Sequence, residues 1–308
     1  MSRVLVLGGG PDAERPVSVE SASAVAEALR SAGHEVAERT IDGPGVDELA
    51  SVAAEANAEV IFPALHGPWG EGGPMQAVLA GVGLPFVGSR ERAARVAMDK
   101  LATKLIAASA GIRTAEACVV HAGETACAIG VPVVIKPVLE GSSVGLHVCR
   151  DDASLAEALR AVAADVRAHP SRVFMAERMV AGRELTVAVL DGAALPIVEV
   201  APAEGVYDFA AKYERDDTGY VVAPELPAGV AEELGELSER LVGAIGAVHL
   251  CRVDFMLDSA GSAWVLEANT MPGFTGHSLF PLAAARAGLD LPSLCDRLVS
   301  LAVRDGAA

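Results

Sequence analysis

The first 95 residues alternate short apolar runs with amphipathic runs, and this alternation restricts the fold more than any other feature of the chain. Strands are predicted at residues 3–7, from residue 35, at 58–63 and near Phe86, and helices at 18–32 and 75–80. Chains that alternate strands and helices in this way form parallel sheets covered by helices on both faces. We therefore predict an α/β fold whose N-terminal unit, residues 1–95, is a doubly wound parallel sheet.

The remaining sequence divides into a small mixed unit and a larger unit dominated by strands. In residues 96–180 we predict a helix at 99–110, a strand at 131–135 halted by Pro137, a helix at 153–164 and a strand at 173–177. In residues 181–308 we predict strands at 184–189, 195–200, 251–257 and 262–267, and a helix at 225–247. The predicted domains are therefore residues 1–95, 96–180 and 181–308.

Composition and charge argue against several classes of protein. Of the 308 residues, 52% are hydrophobic, which is enough to bury more than one core. The formal net charge of −17 argues against nucleic acid as a partner, because nucleic-acid binding depends on basic patches. We find no apolar run of about 18 residues, so no membrane segment is predicted. The five cysteines are scattered without a CxxC pair, which fits a reducing cytoplasm.

Two predicted strands near the C-terminus carry the clearest chemical pattern. In CRVDFMLD, the alternation of strand side chains places Arg252 and Asp254 on one face, and in WVLEANT it places Glu267 and Asn269 on one face. The opposite face of the second strand is predicted to hold Trp264, Leu266 and Ala268. If the strands pair as a hairpin, the carboxylates and the amide converge as oxygen ligands suited to Mg²⁺. The alternative is a solvated sheet face, although Asp and Asn are poor strand residues.

A second pattern is basic. Lys100 begins a predicted helix, and Lys136 ends an apolar strand just before the loop EGSSVG. A loop rich in Gly and Ser offers backbone N–H groups to phosphate, and a lysine beside it adds a point charge. Either lysine alone would be an ordinary surface residue. Together with the acidic hairpin, the two lysines indicate a site for a nucleotide and its metal ions.

The order of motifs resembles that of the D-alanine–D-alanine ligases of the ATP-grasp superfamily. The motifs are GGGPDAERPVSVES, HGPWGEGG, MDK, IKPVLEGSSVG, AERMVAGRE, YDFAAKY, RVD and LEANTMPGFTGHSLFP. The resemblance covers nearly the whole chain. It implies a three-lobed fold with ATP between a small central α+β lobe and a mainly antiparallel C-terminal lobe. It also implies that ATP converts one D-alanine to an acyl phosphate, which a second D-alanine attacks, for peptidoglycan precursor synthesis.

The resemblance further implies which residues bind ATP and its metal ions. The phosphates would be neutralised by Lys100, Lys136 and Lys212, and Ser142 would close over them. The nucleoside would be contacted by Glu177 at the adenine amine, by Met179 and Val180 at the adenine edge, and by Glu184 at the ribose hydroxyls. Two Mg²⁺ ions, replaceable by Mn²⁺, would be held by Asp254, Glu267 and Asn269, with Glu267 bridging.

The resemblance assigns a second group of residues to D-alanine. Glu14 would hold the ammonium of the first D-alanine, and His66 would lie near its carboxylate. The tetrahedral intermediate would be stabilised by Arg252 and the N–H of Gly273, and the carboxylate of the second D-alanine would be received by Ser278 and Leu279. Tyr213 and Ser142 would connect a lid to Glu14. Without the resemblance, the alternative for Glu14 is a charge at a helix N-terminus, and an isolated histidine such as His66 is more often structural than functional.

Several positions depart from the family pattern, and three other functions stay open from the sequence. The departures are Pro68, Trp69 and Gly72 in the first-substrate loop, Gly276 in the second-substrate segment, and a missing acidic residue before Lys212. The alternatives are an ATP-grasp ligase for another amino acid, an oxidoreductase built on the N-terminal unit, and a non-catalytic ATP-binding module. The oxidoreductase is disfavoured because Ala13 stands where the third glycine of a dinucleotide fingerprint belongs. By resemblance we also expect a homodimer in the cytoplasm.

Overall fold

The computed structural model describes residues 1–142, 144–201 and 219–306. The N-terminal lobe consists of β1 (Arg3–Gly9), α1 (Arg15–Ser31), β2 (Glu35–Ile41), α2 (Val46–Glu55), β3 (Val60–Pro63), α3 (Gly67–Gly70), α4 (Pro74–Val82) and α5 (Glu91–Met98). Its strands are parallel in the order β2-β1-β3, and Phe86 adds a parallel bridge to Ile61. Alternate residues of β1 enter two different cores, Val4 and Val6 on one face and Leu5 and Leu7 on the other. The predicted parallel sheet with packing on both faces is therefore confirmed.

The central lobe is an antiparallel sheet with one long helix. It consists of α6 (Lys100–Ser109), β4 (Ala117–Val120), β5 (Val133–Pro137), β6 (His147–Cys149), α7 (Asp152–Ala168) and β7 (Phe174–Arg178), with the strand order β4-β7-β5-β6. The strand predicted at 131–135 lies two residues later, at Val133–Pro137, and it ends at Pro137, where Lys136 and Pro137 still pair with Met175 and Phe174 of β7. The sheet and α7 enclose an apolar core of their own, centred on residues such as Ile135, Leu159 and Phe174, while Ala107 of α6 packs in the core of the C-terminal sheet.

The C-terminal lobe is built on a second antiparallel sheet. It consists of β8 (Gly182–Leu190), β9 (Ala193–Ala194), β10 (Val198–Ala201), β11 (Gly219–Val222), α8 (Val230–Ile245), β12 (Leu250–Asp258), β13 (Ala263–Asn269), α9 (Leu279–Arg286) and α10 (Leu291–Gly306). Its main strand order is β11-β10-β8-β12-β13. The predicted helix at 225–247 begins later, at Val230, after Gly229 with its positive φ of 82°. In the described part of the chain, no helix is long and apolar enough to cross a membrane.

The N-terminal and C-terminal lobes share one apolar core. Val6 and Phe62 from the first sheet belong to the same buried cluster as Phe274, Phe280 and Leu298 from the C-terminal end. The rings of Phe62 and Phe274 meet edge to face with centroids 5.3 Å apart, a favourable aromatic arrangement. The domain boundary at residue 95 stays a prediction, and the N-terminal sheet and the C-terminal end of the chain share a buried core.

Candidate active site

The predicted acidic hairpin forms with the register that brings its polar residues together. β12 and β13 pair antiparallel, with Arg252 opposite Asn269 and Asp254 opposite Glu267. Residues directly opposite each other in a ladder project to the same face, so all four side chains share one surface. The sequence prediction of this convergence is confirmed.

One part of the predicted pattern was wrong. The ladder shifts register after Asp254, so that Glu267 pairs with Asp254 while Val265 pairs with Phe255. Leu266 is the extra residue of this β-bulge, and it lines the same cavity as Glu267 instead of facing the core with Ala268. Because a bulge adds one residue, strict alternation fails beyond it, and Trp264 also lies on the face opposite the core.

Asp254 is held rigidly by its neighbours. Its Oδ1 accepts hydrogen bonds from Thr186 Oγ1 at 2.6 Å and from Arg252 Nε at 2.9 Å, and its Oδ2 accepts one from Arg252 Nη2 at 2.7 Å. A paired arginine and carboxylate of this kind is strong and geometrically specific. The contact fixes the guanidinium of Arg252 on the same surface as Glu267.

Lys100 reaches this surface from the central lobe. Asp99 caps α6 by accepting a hydrogen bond from the N–H of Ala102 at 3.0 Å, which places Lys100 in the first turn. The Lys100 Nζ atom donates to the carbonyl of Glu140 at 2.6 Å and lies 3.2 Å from Glu267 Oε2. A cation that the sequence assigned to phosphate therefore stands beside a carboxylate that the sequence assigned to metal.

Lys136 forms part of a buried cluster around Glu177. Its Nζ donates to Glu177 Oε2 at 2.6 Å, and Lys104 Nζ bonds the other oxygen, Oε1. Burial alone would raise the pKa of the Glu177 carboxyl, but the two lysine charges outweigh it and hold this pKa below its ordinary value. Sequence reasoning did not select Lys104; its position one helical turn after Lys100, on the same face, was the available signal.

A cavity of about 490 Å³ lies between the central and C-terminal lobes. Residues predicted to bind ATP or metal line it: Lys100, Lys136, Glu177, Met179, Val180, Glu184, Asp254 and Glu267. Apolar side chains such as Val134, Met256 and Leu266 complete its wall. Polar groups at fixed points in a largely apolar pocket are typical of nucleotide sites.

Glu14 and Ser142 meet although they are 128 residues apart, as Ser142 Oγ donates a hydrogen bond to Glu14 Oε1. Glu14 is the N-cap residue of α1, the position that the helix-charge alternative gives it, and its side chain makes no capping hydrogen bond. A side chain on Gly141 would begin 2.8 Å from Glu14 Oε2, so a larger residue there would displace the Glu14 carboxylate from this position. The predicted connection between Glu14 and the glycine-rich loop is thus present in the structure.

His66 is buried between the N-terminal lobe and the segment after β13. Its Nδ1 lies 3.1 Å from the carbonyl oxygen of Met271, and its Nε2 lies 3.3 Å from Ser21 Oγ. Burial lowers the pKa of its imidazole to about 4, so the ring is neutral near pH 7. Glu71, which sequence reasoning did not select, is buried nearby, and burial together with the Glu14 charge raises the pKa of its carboxyl well above the ordinary value.

The segment after β13 forms the remaining wall. Ser278 Oγ accepts a hydrogen bond from the N–H of Thr275 at 3.0 Å, and a side chain on Gly273 would begin 2.8 Å from this oxygen. Leu279 begins α9 and is buried in the core shared by the two lobes, so only its backbone can serve a ligand. The predicted Lys212 and Tyr213 lie outside the described residues.

Comparisons with known proteins agree with this geometry. Residues 109–300 match the protein family described as D-ala D-ala ligase C-terminus. The D-alanine–D-alanine ligase of Anaeromyxobacter dehalogenans (strain 2CP-C) is 40% identical over 312 residues, which cover 99% of this chain and 97% of that protein. The D-alanine–D-alanine ligase of Gluconobacter oxydans (strain 621H) is 41% identical over 303 residues, which cover 96% of this chain and 98% of that protein. The crystal structure of the Bacillus anthracis D-alanine–D-alanine ligase complexed with ATP superposes with a TM-score of 0.84 at 27% identity, covering 100% of this chain and 99% of that one.

The fold, with its cavity between the central and C-terminal lobes and its lysine and carboxylate residues, defines an ATP-grasp ligase. Within that class, the chain belongs to the D-alanine–D-alanine ligase family. The predicted fold class, enzyme class and overall reaction are confirmed: the ATP-dependent joining of two D-alanines for peptidoglycan synthesis.

Proposed function

We propose that the surface formed by β12, β13 and the cavity is where this chain joins two D-alanines through an acyl phosphate, releasing ADP and phosphate. The observation that carries the assignment is the ladder register, which sets Asp254 opposite Glu267 and Arg252 opposite Asn269. Lys100, 3.2 Å from Glu267, then brings phosphate-neutralising charge to the same place.

The donor set fits Mg²⁺. Asp254, Glu267 and Asn269 offer two carboxylates and one amide oxygen, the hard ligands that Mg²⁺ takes together with substrate phosphates. The described residues contain no cluster of three or more His, Cys, Asp and Glu able to hold a metal, and the proposed set differs because its third member is an amide. Bound ions would supply charge neutralisation to the transferring phosphoryl group, and Mn²⁺ would replace Mg²⁺.

The residues of the chain itself divide the remaining work. Lys100 and Lys136 align the phosphates of ATP, with Lys212 as a third cation, so that the carboxylate of the first D-alanine faces the γ-phosphoryl group. Phosphorylation turns a poor leaving oxygen into phosphate, which makes the carbonyl open to attack by the second amine. Arg252 and the N–H of Gly273 stabilise the oxyanion that then forms.

Substrate recognition uses the other side of the surface. Glu14 binds the ammonium of the first D-alanine, and neutral His66 lies near its carboxylate. Ser278 and the backbone of Leu279 receive the carboxylate of the second D-alanine at the start of α9. Tyr213 and Ser142 join the lid to Glu14, and the hydrogen bond from Ser142 to Glu14 supports this arrangement. The enzyme would act as a homodimer in the cytoplasm.

The metal assignment is tested by two matched substitutions on β12. Asp254→Asn removes a proposed ligand, and we expect kcat to fall by roughly 100-fold or more, as when a charge-stabilising group is lost from a transition state. Asp258→Asn changes the same residue type four positions along the strand, where the side chain bonds Trp264 Nε1, and should leave kcat nearly unchanged. Equal activity of both variants would refute the assignment.

Product analysis tests the substrate assignment. The enzyme is given ATP, Mg²⁺ and a mixture of D-alanine, D-serine and D-lactate, and the products are separated by mass. We expect D-alanyl-D-alanine to dominate and L-alanine to be inert. A mixed dipeptide or a depsipeptide as the main product would move the assignment to a ligase with a different second substrate.

A further inference from the structure

Lys104 is a buried lysine that the proposed reaction does not use. Its side chain is 7% exposed, and its ammonium contacts Glu177 Oε1 and donates to Thr114 Oγ1 at 2.6 Å. Burial lowers the pKa of Lys104, and the Glu177 charge partly offsets this effect. Because a buried ammonium is costly unless paired, its retention calls for an explanation in terms of its partner.

The two lysines that contact Glu177 differ in their access to the cavity. Lys136 and Glu177 line the cavity, whereas Lys104 is not part of its described lining. Each lysine contacts a different carboxylate oxygen, Lys136 the Oε2 and Lys104 the Oε1. Lys104 therefore contacts Glu177 from outside the lining of the cavity.

With two lysines, neutralisation of the Glu177 carboxylate and binding of the nucleotide phosphates can be carried out by different side chains. The carboxylate of Glu177 is 4% exposed, so it needs a permanent counter-charge. If Lys136 were its sole partner, a nucleotide phosphate would have to compete with Glu177 for the same ammonium. A second cation outside the cavity weakens that competition and keeps Glu177 ionised as an acceptor for the adenine amino group.

We propose that Lys104 is a positioning residue for nucleotide binding: from outside the cavity it neutralises and orients Glu177, which leaves Lys136 available to the phosphates of an adenine nucleotide. This inference rests on the proposed ATP contacts of Lys136 and Glu177. It adds a role for a residue that does not touch the nucleotide.

The experiment measures the binding of ADP and ATP by calorimetry, without D-alanine, in four proteins: the unchanged chain, Lys104→Met, Glu177→Gln and the double variant. Lys104→Met should raise the Kd by roughly 10- to 100-fold, the range expected when a buried charged hydrogen bond is lost. In the Glu177→Gln background the same change should have little effect, because no carboxylate then needs neutralising. An equal effect in both backgrounds, or none in either, would overturn the proposal.

Thr114→Val is the matched control for a purely structural role. The backbone of Thr114 forms an isolated parallel β-bridge with Val265 of β13. The alternative role of Lys104 is therefore structural: its hydrogen bond to Thr114 would stabilise the packing of α6 against the C-terminal sheet. Under the proposal, Thr114→Val leaves the Kd within a few-fold of the unchanged chain, because the contact between Lys104 and Glu177 remains. If Thr114→Val weakens nucleotide binding as much as Lys104→Met, the structural role is correct and the proposal falls.

Folding of the variants is also decisive. If Lys104→Met unfolds the protein and adding Glu177→Gln restores folding, the role of Lys104 as counter-charge to Glu177 is supported. If the double variant stays unfolded, that role is contradicted. Binding of ATP and synthesis of the dipeptide by the unchanged chain are measured first. Their absence would reject the proposed function, whereas normal wild-type activity with no change in Lys104→Met would reject only the role of Lys104.

Discussion

Arg252 is the residue that we propose to link the acidic surface to the reacting carbonyl. Its Nε and Nη2 groups hold both oxygens of Asp254, so the guanidinium plane is fixed by two hydrogen bonds. A lysine would keep the charge but cannot make this paired contact. We expect Arg252→Lys to lower kcat by roughly 100-fold with little change in the KM for ATP, as for loss of an oxyanion donor.

Steady-state kinetics of the dipeptide reaction provide the test for Arg252. Arg172→Lys is the matched control, since Arg172 also makes two ion pairs, with Asp165 and Glu140, each at 2.8 Å. The control should retain near-normal kcat. A rise in KM with normal kcat in Arg252→Lys would assign the residue to ground-state binding instead.

His66 makes stability depend on pH with a definite sign. Its pKa is lowered from 6.5 to about 4 in the folded chain, first because of burial. Below pH 6.5 the unfolded chain takes up a proton that the folded chain does not, so the free energy of unfolding falls as pH drops from about 6.5 to about 4. At about 1.4 kcal/mol per pKa unit, the loss is about 3 kcal/mol.

The pH effect is isolated by comparing the unchanged chain with His66→Gln. Urea unfolding at several pH values gives the free energy of unfolding of each protein. We expect the stability advantage of the unchanged chain over the variant to shrink by about 3 kcal/mol between pH 7 and pH 4. Neighbouring acids such as Glu71 titrate in both proteins and largely cancel in the difference. A difference that does not vary with pH would contradict the assignment of a neutral, buried imidazole.

At the level of elements, strand parity predicted the faces of Arg252, Asp254, Glu267 and Asn269 because these residues lie in the regular part of the ladder. It failed at Leu266 because a bulge is set by how β13 fits its neighbouring strand, which no local pattern records. Lys104 was not predicted because its role also depends on contacts between elements that are far apart in sequence. Its burial depends on Glu177, a residue 73 positions away in another element.

The bulge leads to a prediction about the two faces of the hairpin. Leu266 lines the cavity, whereas Leu257 on β12 is 4% exposed in the opposite core. Leu266→Ala should weaken ATP binding several-fold, because part of the apolar wall is lost, while changing stability little. Leu257→Ala should lower the free energy of unfolding by about 2–5 kcal/mol without changing ATP affinity. Calorimetric binding and chemical unfolding of both variants test this separation, and loss of ATP affinity in Leu257→Ala alone would reverse the assigned faces.

At the scale of the molecule, the order of elements predicted the three lobes but not how their cores join. Phe62 and Phe274 are 212 positions apart in sequence yet in ring contact, and both belong to the core shared by the N-terminal and C-terminal lobes. The sheet β4-β7-β5-β6 and α7, by contrast, pack around a cluster of their own, whereas Ala107 of α6 belongs to the core of the C-terminal sheet. Contacts over such distances depend on the assembled sheets, so domain limits drawn from local pattern do not reveal them.

The shared core predicts that the two outer lobes unfold together. The chain has two tryptophans, Trp69 in the N-terminal lobe and Trp264 on β13, so Trp69→Phe and Trp264→Phe each leave one reporter. Adding Phe274→Ala to either should lower the free energy of unfolding by about 3–5 kcal/mol, equally for both reporters. Phe174→Ala, an equal truncation in the core of the central lobe, should leave both tryptophan transitions nearly in place. If Phe274→Ala shifts only one reporter in urea unfolding followed by fluorescence, the outer lobes are separate cooperative units, and their common core does not couple them.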